Sequence, residues 1–108
     1  MKYLKTKNKE YQLRLTTKAC VKIESRIGQN PLNVFIQASE NKMPKMSDLL
    51  IILHECLNTC NHGITLDNVY DIYDAYCAEG HDFTSLIELL VQVFEESGFI
   101  PKEAEGKN

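Results

Sequence analysis

Within nine positions the chain carries His54, Cys56, Cys60 and His62, the residue types of a Cys2His2 zinc site. Coordination needs four side chains aimed at one point. A helix turns about 100° per residue, so His54 lies roughly 200° around from Cys56, and only three of the four can converge unless the helix breaks. Thiols packed as small hydrophobes against neighbouring helices explain the same pattern, and no metal is assigned. His81-Asp82 has the look of a metal-dependent phosphohydrolase pair. That chemistry needs further histidines and aspartates on other helices, and the sequence holds three histidines in all. Asp82 is better read as a helix N-cap. No cysteine has a Gly-rich turn or oxyanion donor in view, and none of the five glycines is spaced as a phosphate loop. The reading is of a protein without catalytic residues or cofactor.

Two further groups suggest binding. Asp67, Asp71 and Asp74, at i, i+4 and i+7, share one helical face, but calcium takes loop carbonyls as well as carboxylates, so a solvated face is the simpler account. Tyr70, Tyr73 and Tyr76 are numerous for so short a segment. Core packing with the hydroxyl at the rim competes with an aromatic protein-binding edge, for which Tyr70 and Tyr73 are the candidates.

The elements that must position these residues follow from periodicity and punctuation. Alternation in Tyr3–Thr6 and Tyr11–Leu15 around the polar Lys7–Glu10 predicts an N-terminal hairpin over 2–15. Helices are expected at about 17–27, capped by Thr16 or Thr17 and ended by Gly28, and at 31–37, with Pro31 in its first turn. A loop over 38–45 leads to a helix at about 47–60, with Ser47-Asp48 as cap and acidic first turn. Its run Leu49–Leu53 is apolar on every side, which marks it as the central helix. Thr65 caps a helix over 66–79, whose apolar stripe includes Val69, Tyr70, Tyr73 and Tyr76. The last helix, about 84–97, starts near Asp82 or Thr84 and carries Leu86, Leu89, Leu90, Val93 and Phe94 at helical spacing, widened by Ile87 and Val91. An arc that wide sits between two neighbours or leaves an edge for a partner, and Leu86, Ile87, Leu90, Val91 and Phe94 are the partner-binding candidates. The fold class is mainly α: a hairpin and four to five helices in one bundle-like domain over 1–100, with 101–108 a disordered tail.

Bulk properties narrow the function. A chain of 108 residues with 44% hydrophobic and 25% charged residues suits one ordinary globular domain. Its longest apolar run falls far short of the roughly 20 residues that cross a bilayer, and the N-terminus lacks the apolar stretch of a secretory signal, so a cytoplasmic protein without a membrane partner is expected. A net charge of −3 argues against a nucleic-acid partner. The charge is uneven: Lys2 to Arg26 form a basic first quarter, while Asp67 to Glu96 dominate an acidic last third. Such polarity steers protein partners or self-association, and a homo-oligomer is one expectation.

The order of segments resembles a known family. Met1-Lys2-Tyr3-Leu4-Lys5, the stretch Tyr11–Cys20, Gly28-Gln29-Asn30-Pro31-Leu32, Met43-Pro44 before Leu49–His54, and Asn61–Thr65 before Val69-Tyr70-Asp71 are together similar to the tail assembly chaperones of siphophages and prophages of Gram-positive bacteria. The similarity spans about residues 1 to 100 and includes no catalytic signature. It implies a protein that binds the tape measure protein and keeps its apolar helical segments in solution during tail assembly. It further implies residence in the bacterial host cytoplasm and absence from the mature virion. In many members a ribosomal frameshift near the end of the frame adds a domain that recruits tail tube protein, and Glu105-Gly106-Lys107 is compatible with a slippery heptamer. The competing expectation is a small dimeric phage or host regulator that binds DNA or another protein, against which the acidic charge and the lack of a recognition helix both count.

Overall fold

Leu4, Tyr11 and Leu13 fall on one face of a short antiparallel ladder, and their apolar side chains draw that face onto the helices. In the computed structural model, which describes residues 1–101, β1 (Lys2–Lys5) pairs with β2 (Glu10–Leu13) in the register Lys2 to Leu13 and Leu4 to Tyr11. The Thr6 amide donates to the Lys9 carbonyl at 2.8 Å and closes the turn. The ladder stops two residues before the expected Leu15. Its next donor, the Arg14 amide, goes to the Cys56 carbonyl at 3.2 Å, so the chain leaves the hairpin to dock on a helix. A lone two-stranded hairpin is marginal in water, and this docking supplies what the ladder lacks.

Five helices follow: α1 (Thr17–Ile27), α2 (Pro31–Ser39), α3 (Met46–Cys60), α4 (Leu66–Ala78) and α5 (Phe83–Glu96). Four begin at side-chain caps. Thr16 accepts from the Ala19 amide, and Asn30 from the Leu32 amide with Pro31 next in the first helical position. Thr65 with Asn68, and Asp82 with Ser85, form reciprocal pairs in which each side chain accepts from the other residue's amide. The fifth start differs from expectation. Helix α3 begins at Met46 after an extended Lys45 without a side-chain cap, so Ser47 lies inside the first turn. Asp48 keeps the acidic position there and is nearly buried, with the Gln29 side chain donating to it at 3.4 Å. Helix α2 also runs two residues beyond the expected 37. The Ser39 hydroxyl donates to the Ile36 carbonyl at 2.6 Å, which satisfies the last turn from within, and the loop shrinks to 40–45.

Helix α3 takes the central place expected of it. Leu49, Ile52, Leu53, Cys56 and Leu57 have no exposed surface and join residues of every other element in one core. Helix α5 ends in a paired set of hydrogen bonds, Phe99 amide to Phe94 carbonyl at 2.9 Å and Gly98 amide to Glu95 carbonyl at 3.1 Å. Gly98 supplies the required positive φ of 87°, and Phe99 packs edge-on against Phe94 across the turn. That closure folds Phe99 and Ile100 back beside α5. The tail expected over 101–108 lies, from Lys102 onward, outside the described residues.

Because Ile52 and Leu53 are fully enclosed, Ile52→Asp or Leu53→Asp should unfold the domain. An unpaired carboxylate in that position costs several kcal/mol against a total stability of roughly 5–15 kcal/mol. Loss of the cooperative thermal transition by circular dichroism is the expected result, and a mutant that melts cooperatively near the wild-type temperature contradicts the central position of α3.

Candidate functional site

The arc of α5 divides into two roles. Leu86, Leu90 and Phe94, expected among the partner-binding residues, are completely buried and belong to the core, because the stripe they form is the one that faces the hairpin and α2. Ile87 and Val91, on the flank of that stripe, are only half-buried. They line a groove of about 500 Å³ whose opposite wall is α2, with Leu32, Phe35 and Ile36, and to which Ile100 also contributes. Ala38 and Ser39 complete the α2 side, and Glu88 is the charged residue of the lining. Underneath, Phe35 meets Phe94 edge to face at 4.9 Å between ring centres, which fixes the distance between the two helices.

The α2 wall has a legible signal in the sequence. In Pro31–Ser39, Val34 points to the core, while Leu32 and Ile36 lie one turn apart on another side, so this short helix has two apolar faces. Ile36 is 53% exposed, unusual for isoleucine unless something covers it. Ile100 was less legible, since its place depends on the Gly98 turn.

The tyrosines sit elsewhere. Tyr70 is 46% exposed and Tyr73 half-buried on α4, and neither lines the groove. The stripe that enters the core from α4 is Val69, Ile72 and Tyr76, with Ile72 in the place expected for Tyr70, which is turned about 100° away from Val69. Tyr76 stacks on His81 at 4.3 Å. Burial pushes the Tyr73 phenol up to about 12, helped by its hydrogen bond with the Cys77 thiol, and burial also raises Tyr76. Asp67, Asp71 and Asp74 are all exposed.

The His/Cys group is split as the helical angle requires. His54 Nε2 donates to the Ile64 carbonyl at 2.6 Å, leaving Nδ1 to accept from Arg26 Nη1 at 3.0 Å. The same Arg26 nitrogen donates to Glu55 at 2.9 Å, so the cluster joins α1, α3 and the loop before α4. Cys56 faces the core, where burial, and then the charge of Glu55, drives its thiol far up from the ordinary value. Among the described residues no three of His, Cys, Asp and Glu converge as metal ligands. Asp82 is held below the usual carboxylate range chiefly by the Ser85 amide, then by the Ser85 hydroxyl, the signature of its capping role. Among the described residues no helix is long and apolar enough to cross a membrane.

The chain matches a family of unknown function, DUF6096, over residues 1–107 and belongs to it. Neither a curated protein nor a solved structure matches the chain.

The raised thiols and phenols have a defined consequence for stability. Cys20, Cys56, Tyr73 and Tyr76 hold their protons in the folded chain at pH values where an unfolded chain, with thiols at 9.0 and phenols at 10.0, has released them. The native state therefore binds more protons, and stability is full below about pH 9 and falls as pH rises through the native values. The melting temperature should drop progressively between pH 9 and 12, and Tyr73→Phe should flatten the upper part of the fall. A melting temperature that holds or rises over this range contradicts the burial of these groups.

Proposed function

We propose that this protein is a holding chaperone of the phage tail assembly type, which binds the tape measure protein and keeps it in solution during tail morphogenesis. The single observation that carries the reading is the α2/α5 groove, an apolar surface left open between two helices that meet through Phe35 and Phe94. Each 100 Å² of apolar area covered there is worth about 2.5 kcal/mol. A partner's amphipathic helix is the natural occupant, because one apolar stripe fills such a groove while its backbone hydrogen bonds stay internal. The resemblance of the segment order to tail assembly chaperones supplies the identity of the partner. Ile36, Ile87 and Val91 are the contact residues, with Leu32 and Ile100 beside them. Recruitment of tail tube protein belongs to a frameshifted longer product and is a proposal of the same kind, as is residence in the host cytoplasm.

Co-expression should keep the cognate tape measure protein in the soluble fraction, and the two should co-purify. Ile36→Ser should lose the partner and keep the wild-type melting curve, since truncating a binding anchor costs about 2 kcal/mol or more while the Ile36 side chain is largely exposed. Val91→Ser should also lose the partner, with a small fall in melting temperature because Val91 packs against the core. A tape measure protein equally insoluble with and without this chain overturns the proposal.

A further inference from the structure

The groove has a charge as well as a shape. From Met46 to Pro101 the sequence contains no lysine or arginine and ten acidic residues, so α3, α4 and α5 present carboxylates alone. Glu88 lines the groove, Glu95 follows Val91 by one turn on the same side of α5, and Glu40 caps the end of α2 beside Ser39. Among the described residues the ion pairs are Lys5–Glu10, Arg26–Glu55 and the terminal amine with Glu96, and none of them engages Glu40, Glu88 or Glu95. Lys42 and Lys45 belong to the loop that leaves α2 and, like Glu40 in that loop, lie outside the lining, so the charge of the groove itself is that of the α5 wall.

We infer that the segment held in the groove is a cationic amphipathic helix of the partner, with an apolar stripe at i, i+3 or i+4, and i+7 flanked by lysine or arginine. The inference rests on the helix-holding reading above and adds a sign to it. Apolar contact sets how tightly a helix is held but does not discriminate between flanking charges. Carboxylates on the α5 wall, Glu88 in the lining and Glu95 one turn beyond Val91, do discriminate: they repel a helix with acidic flanks and shorten the search of one with basic flanks. An anionic surface such as a lipid headgroup layer is disfavoured by the same charges, and an uncharged helix gains nothing from them.

Two labelled peptides of about 18 residues test this, long enough to become helical on binding. They share one leucine stripe and carry either lysine or glutamate at the flanking positions. Titrated against the full chain by fluorescence anisotropy, the lysine peptide should bind at least about tenfold more tightly at low salt, an advantage that shrinks as salt screens the charges. Glu88→Lys should narrow or reverse the preference with the melting curve unchanged, and Ile36→Ser should weaken both peptides. Equal binding of the two peptides overturns the inference and leaves the helix-holding reading standing. Lysine-peptide binding that survives Ile36→Ser and Val91→Ser also overturns it, because attraction is then to the exposed aspartates of α4. Binding of neither peptide overturns it too, and the fate of the helix-holding reading then follows from the co-expression experiment alone.

Discussion

Helix α3 is enclosed by its neighbours, and that enclosure dictates where everything else can go. Five consecutive apolar residues, Leu49 to Leu53, leave little of the helix circumference for water, so α1, α2, α4 and β2 each have to cover part of it. The hairpin is stable only as one of these covers, tied on by the Arg14 amide and by Asn61, whose side chain donates to the Gln12 carbonyl at 2.9 Å. Helix α5 then packs on β1 and, through Phe94, on α2. Its arc is wider than those two supports, and the surplus is the flank of Ile87 and Val91. The open groove is thus a consequence of the packing order.

Charge follows the same division. Ten of the twelve basic residues precede Met46, and ten of the fifteen acidic ones lie between Met46 and Pro101. Pairing across the division is sparse, with Arg26 and Glu55 as the contact in which a cation of α1 meets α3. A molecule with its charges separated in this way keeps a long-range field that acts on partners before contact, and the α5 wall of the groove belongs to its acidic part.

Most of the fold could be read from the sequence because its signals were local. Capping residues Thr16, Thr65 and Asp82, the turn glycines and the 3.6-residue spacing of α5 each acted within a few positions of themselves. The candidate site was half legible. Ile87 and Val91 stood out as the excess of an arc, but which members of that arc would be sealed depended on Phe35 and Leu4, far away in sequence. Leu86, Leu90 and Phe94 therefore looked as available as their neighbours. Tyr70 misled for a related reason: a stripe dense in tyrosine hid Ile72, the residue whose position one turn from Val69 and Tyr76 sends it inward. Ile36 and Ile100 became part of a site only when two segments remote in sequence were brought side by side.

Methyl NMR of the complex reads out whether the proposed partner occupies the space between α2 and α5. With isoleucine and valine methyls labelled, addition of tape measure protein should shift or broaden Ile36, Ile87, Val91 and Ile100, while the enclosed Ile52 and Val69 stay in place. Perturbation confined to Val21 and Ile27 on α1, with the four groove methyls unmoved, would rule out the groove and place the binding surface on the basic side of the molecule.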